Sequence, residues 1–391
     1  MNSLINTKIL NSKLRSYNFF EIMVFMISMF LCFEKFTLRF IVLITAIFGL
    51  FKGDYRILIK KVSLYKFSTA LLWLIPFFQL IILSSLIDYW DKLETKLSLI
   101  IFPLIFLTSL KFKRDLIYKI LKIFIIGCTI SIIICSVNAF YNFTINGNWK
   151  SFSYSKLSCF HHPSYFAMYV NFSIVILYMR LVYPLKKDKF SFYIFLLIFF
   201  YSIFIVFLSS RTGWITNILI HLLFIIFQIK NKSLKTTHIL FGLSIMSCFL
   251  LLNEIPVIKH RSNEVINNTL YSKKRNYGIS LSTKSPSSTS TRKKAWKTSF
   301  SIIKNYLIFG TGTGRSKEIL NLAYEKKGYD SLKAKSINSH NEFIQYQLDH
   351  GIIGSIFLFF FTFIMLVLSL REKDILYALF LIIIIDRKST R

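Results

Sequence analysis

The chain has 391 residues, of which 54% are hydrophobic, and its formal net charge at pH 7 is +31. This composition excludes an ordinary soluble domain, because many apolar runs reach the roughly 17–25 residues that cross a hydrocarbon core. The runs are continuous rather than alternating, which excludes a membrane β-barrel and predicts an all-α, polytopic transmembrane helical bundle.

In chain order, the apolar runs predict about eleven spans. They lie near residues 18–33, 37–51, 67–87, 95–110, 116–141, 164–183, 190–209, 213–228, 236–252, 351–370 and 375–385. We therefore expect N-terminal transmembrane helices over 1–253, a large helical loop over 254–350 and C-terminal transmembrane helices over 351–391. The last region looks incomplete, since the apolar run stops at Ile385 before a short polar tail, and we expect the chain to be truncated there.

The positive charges indicate how the chain crosses the membrane. Basic clusters occupy every second loop, at 8–15, 52–66, 111–114, 180–189 and 230–235. Short basic loops stay in the cytoplasm, so the N-terminus is predicted to be cytoplasmic and the 254–350 loop to face outward.

The 254–350 loop is itself basic, with seventeen Lys or Arg residues against seven Asp or Glu. An excess of positive charge on the outer side predicts an anionic ligand or anionic lipid headgroups. Nucleic acid is not an expected partner of an outward-facing loop between membrane helices. No metal is predicted either, because the five cysteines show no CxxC spacing and two adjacent histidines do not make a metal site.

Arg211 is the first candidate for chemistry. It lies where two apolar runs meet with almost no loop between them, in Ser210-Arg211-Thr212-Gly213. An arginine at membrane depth costs roughly 2.5–3.5 kcal/mol on insertion scales, so it usually has a partner or lines a wet cavity. The alternative is an arginine that extends to the headgroups from a helix end.

Arg292 is the second candidate, at the start of a helical pattern that continues through Trp296 and Phe300. Ser290 or Thr291 is suited to cap this helix. A positive side chain near the first turn opposes the helix dipole, which suggests that Arg292 is there to bind an anion. The alternative is a solvated run of charges, which we favour for Lys293 and Lys294.

The third candidate is the turn Gly310-Thr311-Gly312-Thr313-Gly314, which precedes Arg315 and a helical pattern over 316–324. Glycines let backbone amides approach phosphate oxygens at a helix start, so Gly312, Gly314 and Arg315 are candidate ligands of a phosphate group. A tight turn is the simpler interpretation. No strand precedes it and no nucleotide-loop spacing follows, so no nucleotide cofactor is expected.

Histidines supply the remaining candidates. His340 and Asn341 stand just before the span that begins near Gly351. A neutral histidine can accept a proton from a hydroxyl group, as a general base must. The alternative is a helix cap, with Ser339 or Asn338 as the capping residue. His161 and His162 precede Pro163 in another outward loop, where packing beneath the large loop would explain them equally well.

Taken in order, these segments resemble the O-antigen ligase and O-antigen polymerase superfamily of bacterial envelope glycosyltransferases. The resemblance rests on Ser210-Arg211-Thr212-Gly213, the Arg292 to Trp296 segment, the glycine turn, His340-Asn341 and Gly351-Ile352-Ile353-Gly354, with His161-His162-Pro163 upstream. Residue pair Asn305-Tyr306 stands where the family commonly has a proline. The similarity is strongest over 200–370.

The resemblance implies a glycosyltransferase of the bacterial inner membrane that acts on its periplasmic face. The donor would be an undecaprenyl-pyrophosphate-linked glycan, and the acceptor a hydroxyl group of the lipid A core or of another glycan, without metal or cofactor. Arg211 and Arg292 would stabilise the departing pyrophosphate, and His340 would act as base or orient the acceptor. Inversion at the anomeric carbon is expected.

Two alternatives to a ligase stay open from the sequence. A polymerase would use the same donor with a growing glycan as acceptor. An anion transporter could also present an outward basic cavity, but repeated halves and interrupted helices are not evident in the chain.

Overall fold

The structure is a computed structural model that describes residues 19–33, 35–52, 114–182, 191–230, 242, 288–312 and 314–371. Within these ranges the chain is helical and contains no strand. The helices are α1 (Phe19–Phe30), α2 (Lys35–Lys52), α3 (Arg114–Asn146), a 3₁₀ turn (Trp149–Phe152), α4 (Tyr154–Leu157), α5 (Pro163–Val182), α6 (Ser191–Phe207), α7 (Arg211–Lys230), α8 (Ser288–Ile303), α9 (Ser316–Lys326), α10 (Asp330–Ala334) and α11 (Glu342–Arg371).

Four of the described helices are long and apolar enough to cross a membrane. Their apolar stretches are Asp115–Asn146, Pro163–Val182, Thr212–Ile229 and Phe343–Leu368. Shorter apolar helices run over Phe19–Phe30, Leu38–Gly49 and Phe192–Phe207. For the described residues, the predicted all-helical architecture with helices long enough to cross a membrane is thus confirmed. Apart from residue 242, the spans predicted near 67–87, 95–110, 236–252 and 375–385 lie outside the described residues, and the total of about eleven spans stays a prediction.

The bundle core is formed by apolar side chains of α3, α5, α6 and α7, with the end of α1. Helices α5 and α7 approach closely at Gly213, where an added Cβ would lie only 2.6 Å from the Cβ of Ala167. Small residues permit such contacts between membrane helices. Just below, the Asn171 side chain donates to the Gly213 carbonyl at 3.0 Å and accepts a bond from the Asn217 amide at 3.0 Å.

Deeper in the bundle, a buried histidine joins three helices. The hydroxyl of Tyr178 on α5 lies 2.5 Å from Nδ1 of His221 on α7, and the Oγ of Ser202 on α6 lies 3.1 Å from Nε2. Ser202 donates its own proton to the Ile198 carbonyl at 2.9 Å, so its oxygen accepts from Nε2–H and Tyr178 donates to Nδ1. This assignment leaves a neutral imidazole with both nitrogens paired.

The described part of the large loop is a folded unit with its own core. Helices α8, α9 and α10 pack with the first part of α11, and we call this unit the loop cluster (288–350). The buried apolar side chains at its centre are Ala295, Ile302, Ile303, Leu320, Tyr324, Leu332 and Leu348. None of them belongs to the bundle core. The chain therefore has separate apolar centres in the bundle and in the loop cluster.

Helix α11 belongs to both regions. It begins at Glu342 rather than near Gly351, where the apolar run starts, because Ile344 and Leu348 pack into the loop cluster. At Gly351 the backbone takes φ 65° and ψ −164° and kinks the helix. Only glycine adopts this conformation readily, and an added Cβ would collide with the carbonyl of Ile308.

Candidate functional site

His340 lies in a tight turn immediately before α11. Its backbone is in the left-handed region at φ 53°, and its amide donates to the Asn338 side chain at 3.1 Å. The side-chain oxygen of Asn341 accepts from the amides of Phe343 at 2.9 Å and Ile344 at 3.1 Å. Asn341 is therefore the residue that caps α11, instead of Ser339 or Asn338, and the cap positions His340 beside the helix start.

Gln345 ties the His340 turn to the start of α9. Its Oε1 accepts from the Ser339 amide at 3.1 Å, while its Nε2 donates to the Ser316 hydroxyl at 3.2 Å and to Oδ1 of Asp349 at 2.9 Å. The backbone amide of Ser339 can only donate and the carboxylate of Asp349 accepts. These two partners determine which end of the Gln345 side-chain amide is oxygen and which is nitrogen. Sequence reasoning missed Gln345 and Asp349, although their spacing of four places them on one face of a helix.

The glycine turn crosses the kink of α11. Gly310, Gly312 and Gly314 have φ of 71°, 90° and 105°. The amide of Thr311 donates to the Leu348 carbonyl at 2.7 Å, and that of Gly312 donates to the Asp349 carbonyl at 3.1 Å. These amides are engaged within the protein, which favours the tight-turn interpretation. Arg315 follows this turn and precedes α9, whose first residue, Ser316, is bonded to Gln345.

Arg292 and Arg315 are both exposed, and neither guanidinium group makes a hydrogen bond or ion pair with the described residues. Helix α8 begins at Ser288 rather than at Ser290 or Thr291, so Arg292 lies in its second turn. Two exposed guanidinium groups in a basic loop are available to an anionic ligand.

Several lysines of the loop cluster have partners inside it, unlike these arginines. The ammonium group of Lys294 lies 4.8 Å from the ring centroid of Tyr329. Lys327 donates to the Ser301 hydroxyl at 2.7 Å. Its pKa is lowered by partial burial and by the nearby charge of Lys297. Positive charges crowd this surface, and an anionic ligand would relieve their repulsion.

Arg211 is the first residue of α7, next to the start of α5. The Ser210 hydroxyl accepts from the Gly213 amide at 3.4 Å and lies 3.3 Å from the Ser164 hydroxyl at the start of α5. The Ser164 amide in turn donates to Nδ1 of His162 at 3.3 Å. Two helix N-termini thus lie side by side, and their positive dipole ends favour an anion near Arg211 and His162.

The two adjacent histidines have different environments. His161 is buried, with Nε2 3.2 Å from the Leu31 carbonyl and its ring 5.5 Å from that of Tyr169. It therefore secures the end of α1 against α5, and these partners belong to the bundle rather than to the large loop. His162 is exposed, and its Nε2 lies 3.2 Å from the Tyr154 hydroxyl.

The structure therefore gathers the predicted residues into two groups. Arg211, His161 and His162 lie at the ends of bundle helices, whereas the other residues belong to the loop cluster: Gly312 is bonded to α11 just before its kink, Gly314 and Arg315 follow in the chain, His340 and Asn341 immediately precede α11, and Arg292 lies on α8. Within the described ranges, no three His, Cys, Asp or Glu side chains form a group that could hold a metal ion.

The fold and the two groups define a helical membrane protein whose spans carry a folded, basic loop. The family model described as O-antigen ligase matches residues 194–359 of this chain. The matched segment includes most of α6, all of α7, the loop cluster and the kink of α11, and it confirms the resemblance to the O-antigen ligase and polymerase superfamily. Together with the long apolar helices, this match indicates a bacterial membrane protein. No curated protein matches the chain.

Proposed function

We propose that the protein transfers a glycan from undecaprenyl pyrophosphate to an acceptor hydroxyl on the periplasmic face of the inner membrane. The observation that carries this proposal is the family match, which spans Arg211, Arg292 and His340 together. The N-terminus would be cytoplasmic, and the loop cluster would stand over the outer ends of the bundle helices.

In this reaction the acceptor oxygen forms a bond to the anomeric carbon of the donor sugar. The bond from that carbon to the pyrophosphate oxygen breaks, and its electron pair leaves with the pyrophosphate. A single displacement inverts the anomeric configuration. The acceptor proton passes to the imidazole of His340, which later releases it to water. Neither a metal nor a cofactor is needed for this balance.

The arginines stabilise the charge that develops on the leaving group. A guanidinium group binds two phosphate oxygens at once through charge-assisted hydrogen bonds, which suits a pyrophosphate. Arg211 also benefits from the paired helix N-termini at Ser210 and Ser164. Arg292 and Arg315 would approach from the loop cluster, where both are exposed.

The preferred acceptor is the lipid A core, which makes the protein an O-antigen ligase. A polymerase would use the same arginines and the same base with a growing glycan as acceptor. Deleting the gene distinguishes the two on a gel of envelope glycolipids. A ligase leaves long glycan on the polyprenyl carrier and none on the core, whereas a polymerase leaves a core that bears one repeat.

The role of His340 is tested with two substitutions, because its backbone is left-handed. Asparagine tolerates this conformation better than other non-glycine residues, so His340→Asn keeps the turn and removes the imidazole. We expect His340→Asn and His340→Ala to lose transfer alike, by the roughly 10²–10⁴-fold typical of a general base. Full transfer by His340→Asn with loss in His340→Ala would assign His340 to the turn and overturn its role as base.

Arg292→Lys tests the arginine geometry at constant charge. Lysine cannot form the two parallel bonds of a guanidinium group. We expect a marked loss of transfer in Arg292→Lys and little change in Lys293→Gln, the neighbouring exposed cation, with transfer measured on purified carrier-linked glycan. Equal activity of wild type and Arg292→Lys would remove Arg292 from the pyrophosphate site.

A further inference from the structure

Four consecutive apolar residues are exposed between the end of α8 and Gly310. Tyr306, Leu307, Ile308 and Phe309 expose 46%, 49%, 56% and 61% of their surface, and we call them the apolar tip. Single exposed apolar residues are ordinary, but a contiguous run on a polar, basic unit marks a contact surface.

The apolar tip is held in place by backbone hydrogen bonds. The Ile352 amide donates to the Leu307 carbonyl at 2.8 Å, and the Gly310 amide donates to the Tyr306 carbonyl at 3.1 Å. The carbonyl of Ile308 lies against Gly351, where even a Cβ would not fit. The position of the tip relative to α11 is therefore determined by the fold.

This position joins the tip to the apolar surface of α11. Beyond the kink, Ile353, Ile356, Phe359 and Phe363 are about half exposed or more, at 50%, 49%, 63% and 53%. They belong to the apolar stretch Phe343–Leu368, which is long enough to cross a membrane. Side chains exposed on such a helix face lipid or other membrane helices. The tip lies beside the first residues of this surface.

The residues that flank the tip suit a membrane interface. Lys304 and Asn305 precede it and are exposed, and the tip itself begins with Tyr306. Lysine and tyrosine are favoured where apolar stems meet the headgroup region, because their polar ends stay in water. The order from polar to aromatic to aliphatic thus follows the change from water to hydrocarbon.

We propose that the apolar tip inserts into the acyl-chain region of the adjacent leaflet, so that its partner is bulk phospholipid. Because the tip is bonded to the kink, insertion determines the height of the glycine turn and of His340 above the membrane. The inference concerns lipid contact alone and holds whether or not the protein is a glycosyltransferase.

Site-specific photocrosslinking tests this contact in the full chain. A diazirine-bearing amino acid is placed at Ile308, and the protein is reconstituted in nanodiscs of phosphatidylethanolamine and phosphatidylglycerol without any polyprenyl donor. Position Phe359 serves as the lipid-facing reference. Leu322 on α9 is the matched control, because it is an apolar residue of the loop cluster with 52% exposure that lies outside the tip.

Illumination should give protein with the mass gain of one phospholipid at Ile308 and at Phe359, but not at Leu322. Adducts at Phe359 alone would overturn the proposal, as would peptide crosslinks from Ile308 to another segment of the chain, which would show that protein covers the tip. Phospholipid adducts at Leu322 equal to those at Ile308 would also overturn it, since contact would then not be specific to the tip.

Discussion

The bundle and the loop cluster use different kinds of hydrogen bonds to join their helices and turns. In the bundle, side chains bond across helices, as in the group formed by Tyr178, His221 and Ser202. In the loop cluster, backbone amides of the glycine turn also bond across to α11, at Thr311 and Gly312, beside the side-chain bonds of Gln345. The bundle therefore depends on complementary side chains, whereas the loop cluster depends in addition on backbone conformations that few residues adopt.

Gly351→Ala should give the largest effect, because it changes a residue whose backbone conformation other residues rarely adopt. The substitution adds roughly 1–3 kcal/mol of conformational strain and a collision with the carbonyl of Ile308. We expect rapid proteolysis within the loop cluster while the bundle resists. Gly328→Ala is the matched control, since Gly328 also has a positive φ, 64°, but open space around its Cβ position. Equal proteolysis of the two variants would show that the crossing at the kink does not hold the loop cluster.

His221→Leu should destabilise the bundle by a smaller amount. It leaves the buried Tyr178 hydroxyl without its acceptor, at a cost of roughly 1–3 kcal/mol. Adding Tyr178→Phe should restore part of the loss, because both partners are then apolar. Thermal unfolding in detergent measures both, and Leu219→Ala on the exposed face of α7 controls for simple truncation. Additive losses in the double variant would contradict a pairing of these two side chains.

Gln345→Leu should affect the loop cluster modestly and transfer more strongly. It removes the bonds to Ser339, Ser316 and Asp349, each worth about 1 kcal/mol net in stability, and releases the His340 turn. Gln347→Leu, on the same helix with no side-chain bond to the described residues, is the control. We expect a modest loss of thermal stability in Gln345→Leu and a reduction of turnover larger than that loss explains. Unchanged turnover would mean that this glutamine does not position His340.

Tyr324→Phe should have the smallest effect at neutral pH. The Tyr324 hydroxyl is buried with no hydrogen-bond partner among the described residues, so its removal should leave stability equal or slightly higher. Burial raises the pKa of Tyr324 to about 12 from its ordinary value of 10.0. The neutral form is thus favoured in the folded state, and this stabilisation is complete below pH 10 and is lost as the pH rises toward 12.

Thermal unfolding between pH 9 and 12 measures this dependence. The wild-type loop cluster should lose stability over that range more steeply than Tyr324→Phe. Identical slopes would show that Tyr324 does not titrate from a buried position.

The sequence predicts the bundle better than the loop cluster. The apolar runs at 116–141, 164–183 and 213–228 locate α3, α5 and α7 within a few residues, because membrane helices follow directly from local composition. The apolar run near 351–370 did not locate the start of α11 at Glu342, since residues 342–350 mix polar and apolar side chains and are helical through packing of Ile344 and Leu348 on the loop cluster; only the helix-cap alternative at Asn338 or Ser339 came close. Asn341 followed by Glu342 was the available capping signal.

The contacts around the candidate site are the least predictable part. The bond from His161 to Leu31 joins residues 130 positions apart, and the crossing of the glycine turn over Gly351 links segments that no local pattern relates. Arg211, Arg292 and His340 were identified from motif order, but Gln345 and Asp349 carry no chemical signature of their own. Their importance arises only once the turns are folded against each other.

The kink at Gly351 also defines how this protein can be recombined with relatives. A junction placed at the apparent membrane boundary would separate the Leu307 carbonyl from its partner amide at Ile352. A chimera that exchanges the loop cluster should therefore carry residues 288–353 as one block, with the crossover inside the apolar helix rather than at its edge. The segment that can be exchanged as a unit extends about one helical turn into the membrane span. The boundary between water and lipid is therefore not a suitable crossover point for chimeras.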